Sequence, residues 1–380
     1  MHVSITRLFR AVFFKNYHNF SNNLLSPILS RTSLQLNSIV NRAFKLEKNG
    51  CQRLKERSSK MKFLIDTDMG LDDACALILS LSHPEVEVLA ITTVFGNVPV
   101  RQAVANASRI RRLVKREQVP IYAGASKPLI APSIAPGYPT HIHGNDGLGD
   151  IPDIFPAAIE SDSESAVQGK TAALAILDIV SHNPGCTMIC LGPLTNLALA
   201  LKLDPALSSR MGHVYVMGGN IHARGNAPSI QTAEFNFFLD PEAAHIVLSE
   251  LQCPITALPW ETYLKESCTP AFIEAYTRNT ATVKGRFVSA ILKNTMATLS
   301  QFEPFGLCDE MITAIAINPS IVQATKNRFY ATVELHGSLT RGQVVLDYGN
   351  FTGNKPNVEF VTKVDINQAE QMLLRSLMED

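Results

Sequence analysis

The 380-residue sequence predicts an α/β fold, a doubly wound, mostly parallel central sheet with flanking helices and a late antiparallel strand group. Three observations carry this expectation. Apolar runs of strand length alternate with helix-like segments from Met61 onward. The helix-like segments carry apolar residues at helical spacing and end at turn signals. The unusual polar motifs fall at the ends of the apolar runs, where open α/β sheets bind their ligands.

The elements follow in order. "KFLIDTD" reads as a buried strand, and the next helix places Ala74, Leu77, Ile78 and Leu81 on one face before "SHP" stops it. "VEVLAITTVFG" is the second strand, "VRQAVANASRIRRLVKR" the second helix and "VPIYAG" the third strand. Residues 126–167 are Pro/Gly-rich and irregular, too long for a simple connector and so read as functional. The alternation resumes with "GKTAALAILDIVSHNP", "CTMICLG", "LTNLALALKLDP", "HVYVMGG", "DPEAAHIVLSEL" and "CPITALPW". Residues 262–305 look mainly helical, as does "DEMITAIAIN". "FYATVEL", "GQVVLDY" and "NVEFVTKV" suggest the antiparallel group, and "INQAEQMLLRSLM" a closing helix.

Composition narrows the function. Apolar residues make up 46% of the chain, a globular share, and no apolar stretch is long enough for a membrane helix. Net charge is zero, but residues 1–60 hold 11 Lys/Arg against Glu47 and Glu56. The remaining 61–380 segment is therefore acidic, which disfavours nucleic acid as a partner. The leader is Arg-rich, Ser-rich and acid-poor, the composition of a mitochondrial transit peptide. A disordered extension is the alternative, so the expected location is cytoplasmic or mitochondrial. Seven cysteines, odd in number and scattered, predict reduced thiols and an intracellular compartment. Cys186 and Cys190 have no second pair to complete a zinc site.

The densest chemistry is "LIDTDMGLDDACAL", with Asp66, Asp68, Asp72 and Asp73 at the end of the first strand. Carboxylates crowded there need a cation, a shared proton or a polyol. An all-oxygen set suits a hard cation, Ca2+ or Mg2+. Helix caps and surface acids explain Asp72 or Asp73 but not Asp66 and Asp68 as well. Asn97 follows the second strand, and Thr195 and Asn196 lie in "LGPLTN". In "AEFNFFLDPEAA", Glu234 and Asn236 occupy alternate positions, on one side of an extended segment, and suit hydroxyl groups. A capping network for the helix near Asp240 is the alternative. His141 and His143 in "HIHGNDGLGD" are structural or catalytic, in a Gly-rich setting that suggests a mobile loop. Asp309 fits a helix-dipole role on its own.

The ordered set "DTDMGLDDACAL", "GN" at 96–97, "HGNDGLG", "GPLTNLALAL", "VMGG" and "AEFNFFLDPEAA" resembles the inosine-uridine-preferring nucleoside hydrolase family across 61–380. The resemblance implies a Ca2+-dependent ribonucleoside N-glycosidase acting in nucleoside salvage, with a homodimer or homotetramer as its assembly. It implies Asp68, Asp73, Asp309 and the Thr195 carbonyl as metal ligands, with Asp68 also taking a proton from the attacking water. Asp72 and Asn97 would hold the 2′-hydroxyl, Asp309 the 3′-hydroxyl, and Glu234 and Asn236 the 5′-hydroxyl. Met217 and Asn226 would join the substrate site, Asp66 would support its neighbours, and His143 would assist the leaving base. Two departures stand out. Cys308 occupies a position where the family often has His, which bears on base preference. The spacing from Asn226 to Glu234 is longer by about two residues, which puts the Asn226 contact in question. Trp260 ends a strand, near the base or in the core.

Two other functions compete. Asp66-x-Asp68 after a strand also resembles a haloacid-dehalogenase-like phosphatase, which would leave AEFN and GPLTN unexplained. A nucleoside-binding relative inactivated through Cys308 is the non-enzyme reading.

Overall fold

A computed structural model of the chain describes residues 60–130, 140–167, 169–227, 232–299, 305–325 and 329–378. The leader, the 131–139 part of the irregular region and the His141 side chain lie outside the described residues.

The strands are β1 (Met61–Thr67), β2 (Val86–Thr93), β3 (Ile121–Ala123), β4 (Thr187–Cys190), β5 (His213–Met217), β6 (Ile255–Leu258), β7 (Val322–Thr325), β8 (Ala331–Val333), β9 (Val344–Leu346) and β10 (Glu359–Val364). Eight of them form one sheet in the order β3-β2-β1-β4-β5-β6-β10-β7, and β8 pairs with β9 separately. Every pair in the large sheet is parallel except β10 with β7. The late antiparallel group therefore divides. "FYATVEL" and "GQVVLDY" contribute β8 and β9, while "NVEFVTKV" runs parallel to β6 in the main sheet. β7, which has no apolar run to announce it, covers the outer edge of β10.

β1 is central because both its faces are apolar. Phe63 and Ile65 pack under one helical layer and Leu64 under the other, all buried. Full burial of such a side chain contributes about 1.5–3 kcal/mol. β1 registers Leu64 with Ala90 and Met188, and Ile65 with Ile91 and Ile189. The chain order reverses between β1 and β4, which creates a crevice beyond their carboxyl ends. Asp66 and Thr67 end β1 and Asp68 follows at that crevice, and Leu191–Thr195 run out of β4 beside them.

The helix Leu71–Ser82 leaves β1 and packs against the helix Asp309–Ile317, every residue of which is buried. A helix apolar on all sides belongs inside the protein, and its burial brings Asp309 and Glu310 to the β1 end of the sheet. In the helix Val100–Leu113, Arg109 is buried where its sequence neighbours suggest a solvent face. Its guanidinium donates to the carbonyls of Ile151 (2.8 Å), Ile154 (2.8 Å) and Pro156 (2.7 Å) and lies over the Phe287 ring. That clamp fixes the chain just after His143. Cys75, Cys186, Cys190, Cys253, Cys268 and Cys308 are free thiols. Among the described residues, no helix is long and apolar enough to cross a membrane.

Candidate active site

The acidic cluster is built from the end of β1 outward. Asp66 Oδ1 accepts from Thr92 Oγ1 (2.5 Å) and Asn196 Nδ2 (2.8 Å), so it stitches β1 to β2 and to the helix Thr195–Leu203. Asn196 extends the stitch, donating to the Thr93 carbonyl and accepting from the Ala125 amide. Met69 adopts φ 56°, a left-handed turn unusual for a side chain of its size, between Asp68 and Gly70. The turn lets Asp73 reach back, accepting from Thr67 Oγ1 and from the Gly70 amide (2.8 Å).

Asp68 is fully buried. Its Oδ2 accepts the Asn97 amide at 2.7 Å and its Oδ1 the Asn97 Nδ2 at 3.2 Å. The same Nδ2 donates to Asp73 Oδ2 at 3.2 Å, so one asparagine bridges two aspartates. Gly96 permits this approach, since a Cβ there would lie 1.9 Å from Asp68 Oδ2. His143 Nδ1 accepts the Leu71 amide at 3.1 Å and lies 3.9 Å from Asp72 Oδ1. In the neutral ring, that bond places the proton on Nε2. His143 is thus tied to the acidic cluster and largely buried.

Asp309 and Cys308 close the cluster from the opposite side. One ligand atom each from Asp72, Cys308 and Asp309 lie within 4.8 Å of one another, a combination the sequence did not suggest. Burial raises Asp68 and Asp309 well above the usual carboxylate range; Asp73 then acts most strongly on Asp68, and Asp72 on Asp309. Asp72 keeps 27% side-chain exposure, yet desolvation followed by Asp73 pushes it up to about 7. Its Oδ1 is itself buried without a hydrogen-bond partner. Glu310 was missed from sequence. It is buried beside Asp309, raised by burial and then by Asp72, and its Oε2 accepts the Cys308 amide at 3.2 Å. An acid on a helix with no polar face was the available signal.

These observations fit a metal ion. Neighbouring carboxylates all push Asp309 the same way, and the buried Asp72 Oδ1 has no hydrogen-bond partner. The oxygen-rich donors suit a hard cation, while the Cys308 sulfur does not. Thr195 sits at the start of its helix and its Oγ1 donates to Asp240 Oδ2 at 2.6 Å.

The AEFN segment corrects the sequence reading. Glu234 and Asn236 do not share one side of an extended segment; residues Phe235–Leu239 form a short helix and Glu234 is its N-cap. The Glu234 carboxylate accepts the amides of Asn236 (2.8 Å), Phe237 (3.1 Å) and Gly219 (3.0 Å). Burial pushes it up to about 7. Asn236 Nδ2 donates to the carbonyls of Leu191 (2.8 Å) and Met217 (3.1 Å), so the segment still converges on the ends of β4 and β5. Asp240 caps the next helix through the Ala243 amide. Asn226 Oδ1 accepts the Phe235 amide at 2.8 Å, which anchors its loop to the same helix. Trp260 stacks on Tyr263 (4.4 Å between centroids), and Tyr263 lies against Gly306, two residues before Cys308.

Fold and site together describe an α/β enzyme with an acidic crevice at the switch point of its sheet. Residues 63–371 match the family model described as inosine-uridine preferring nucleoside hydrolase. The inosine-uridine preferring nucleoside hydrolase of Crithidia fasciculata is 33% identical over 327 residues, covering 83% of this chain and 97% of that protein. A pyrimidine-specific ribonucleoside hydrolase of Salmonella dublin is 32% identical, over 80% of this chain and 94% of its own. The solved structure of an inosine-guanosine nucleoside hydrolase superposes with a TM-score of 0.76 at 30% identity, covering 84% of this chain and 99% of its own. The chain belongs to the inosine-uridine preferring nucleoside hydrolase family, hydrolases acting on N-glycosyl bonds. Membership removes the phosphatase reading.

Proposed function

We propose that this chain hydrolyses the N-glycosidic bond of ribonucleosides to free base and ribose, with Ca2+ as its cofactor. The observation that carries the proposal is the convergence of Asp68 and Asp73 on one asparagine amide, and of Asp72 on Asp309, beyond the end of β1. Asp68, Asp73, Asp309 and the Thr195 carbonyl would hold the ion. When bound, Ca2+ supplies the positive charge that keeps these carboxylates ionised and makes a nearby water more acidic. Asp68, fixed by two bonds from Asn97, takes the water's proton. Asp72 and Asn97 hold the 2′-hydroxyl, Asp309 the 3′-hydroxyl, and Glu234, Asn236, Met217 and Asn226 the far end of the sugar. The contacts to the 2′- and 3′-hydroxyls, next to the reacting carbon, favour the distorted, oxocarbenium-like ring of N-glycosidic cleavage, while those at the far end bind the sugar. His143, with Nε2–H as its donor face, assists the departing base. Release of reducing sugar from a panel of purine and pyrimidine ribonucleosides, with and without a chelator, tests the whole reading. No release from any of them supports the inactive-relative alternative. A homodimer or homotetramer, and a mitochondrial location set by the basic leader or else a cytoplasmic one, belong to the same proposal. Sedimentation and import assays test them.

Base preference turns on Cys308. Burial, then Asp309, holds its thiol well above the usual range, so it stays protonated and is a poor acid near pH 7. Cys308→His is expected to shift the purine-to-pyrimidine ratio of kcat/KM by about tenfold or more, since positioned acids contribute roughly 10²–10⁴. Affinity for ribose should change little. An unchanged ratio would place position 308 away from the base.

Metal and pH are linked. Burial raises Asp66 and Asp72 from 3.8 to about 7, and Glu234 from 4.5 to about 7. Each folded-state value lies above the unfolded one. The stability these groups contribute is therefore complete below about pH 4 and is lost as pH rises through about 7. The proposed ligands Asp68 and Asp309 are also held well above the usual carboxylate range and must be ionised to bind, so Ca2+ is expected to raise Tm more at about pH 8 than at about pH 5. Calorimetry with Ca2+ or chelator checks this, and an equal or larger increment at the lower pH counts against it.

A further inference from the structure

The loop from Gly218 to Ala227 links two parts of the proposed sugar site, with Met217 just before it and Asn226 near its end. Its backbone is demanding. Gly219 adopts φ 76° and Ala223 φ 56°, and a left-handed alanine persists only where its surroundings enforce it. The enforcing group is Glu261, in the first turn of the helix Trp260–Lys265 and only 4% exposed. Its Oε2 accepts the Ile221 amide at 2.9 Å, and its Oε1 accepts the amides of His222 (2.7 Å) and Arg224 (3.3 Å). Backbone amides wrapped around one point make an anion-binding concavity, here filled by the chain's own carboxylate. The adjacent Trp260 amide donates to the Gly219 carbonyl at 3.0 Å, and Tyr348 Oη donates to the Ile221 carbonyl at 2.9 Å. The two ends of the loop meet the sugar-site residues directly. Glu234 accepts the Gly219 amide, Asn236 donates to the Met217 carbonyl, and Asn226 holds the Phe235 amide.

We propose that Glu261 is a positioning residue for the sugar site. It holds the 218–227 loop, and through it Met217 and Asn226, in the geometry that receives ribose, and does not itself touch substrate. The inference rests on the ribonucleoside hydrolase reading above. A carboxylate is required because three donors face it. A glutamine of the same shape offers one acceptor and turns a second donor toward those amides.

The test is Glu261→Gln, read by steady-state kinetics on ribonucleosides and by amide hydrogen exchange in the Ca2+-loaded protein. Small displacements of positioning groups cost up to about 10² in rate or affinity, so KM is expected to rise about tenfold with kcat within about threefold. Exchange at Ile221, His222 and Arg224 should accelerate while β1 keeps its protection, and the Tm increment from Ca2+ should not change. Glu261→Asp keeps the charge and is expected to recover part of the KM. It is read by the same criteria if Glu261→Gln does not fold. An unchanged KM overturns the proposal, and so does a matched loss of kcat, Ca2+ response and global protection, which marks a structural role alone. Absence of turnover in the wild type overturns the underlying reading instead, and is seen before any variant is made.

Discussion

Asp68→Asn is expected to abolish turnover while ribonucleoside binding largely survives. The single-turnover rate should fall by about 10²–10⁴, the usual contribution of a general base. Asp68 is asked both to ligate the cation and to accept a proton, and only the second task strictly needs a basic carboxylate. Asn keeps one carbonyl oxygen, which can still accept the Asn97 amide now 2.7 Å from Oδ2. Its NH2 group would then face Asn97 Nδ2, donor against donor, across the present 3.2 Å bond. Turning the Asn97 amide over would sacrifice its bond to Asp73. Some loss of stability should therefore accompany the loss of rate. Kd should move far less than the rate, because Asp72, Glu234 and Asn236 are untouched. Single-turnover hydrolysis beside calorimetric binding at saturating Ca2+ makes the comparison. A variant within about tenfold of the wild-type rate takes the base role away from Asp68.

Much of the fold was legible because β1 to β6 are buried runs with periodic helices between them, and local pattern and tertiary role agree there. The acidic cluster was legible for the opposite reason. Asp66 and Asp68 contradict their apolar surroundings, and such contradictions mark function. The AEFN segment was misread, and Arg109 and Glu261 went unnoticed, where tertiary partners override local pattern. Phe235–Leu239 has only five residues, too few for helical periodicity to show, and its stability comes from Glu234 capping it and gripping Gly219. Arg109 lies in a run of basic residues that suggests solvent, but the carbonyls of Ile151, Ile154 and Pro156 require a donor. Glu261 gave no sequence signal, since its partners are backbone amides some 40 residues earlier in the chain. β10 carried a strand pattern but was placed with the antiparallel group, because nothing in its own residues shows that it pairs in parallel with β6.

Loss of the 2′-hydroxyl should cost more than loss of the 5′-hydroxyl, although both have polar partners in the proposed site. Toward the 2′ position the protein offers Asp72, whose buried Oδ1 lacks a hydrogen-bond partner, and Asn97, held between Asp68 and Asp73. A ribose hydroxyl satisfies that oxygen. A deoxyribose leaves it buried and unpaired beside other carboxylates, and sites built to bond a hydroxyl reject analogues lacking it by up to about 10⁴ in kcat/KM. Toward the 5′ position the case differs. Glu234 already accepts three backbone amides, and Asn236 already donates to two carbonyls. Removing a hydroxyl from groups so well satisfied leaves little unpaired, and the penalty falls toward the roughly 0.5–1.5 kcal/mol of one ordinary hydrogen bond. The measurement is kcat/KM for inosine, 2′-deoxyinosine and 5′-deoxyinosine under one Ca2+ concentration. Comparable values for inosine and 2′-deoxyinosine would remove Asp72 and Asn97 from the sugar site. A larger penalty for the 5′-deoxy compound would show that the Glu234 carboxylate gives up its backbone partners to bind substrate, and that the short helix it caps rearranges on binding.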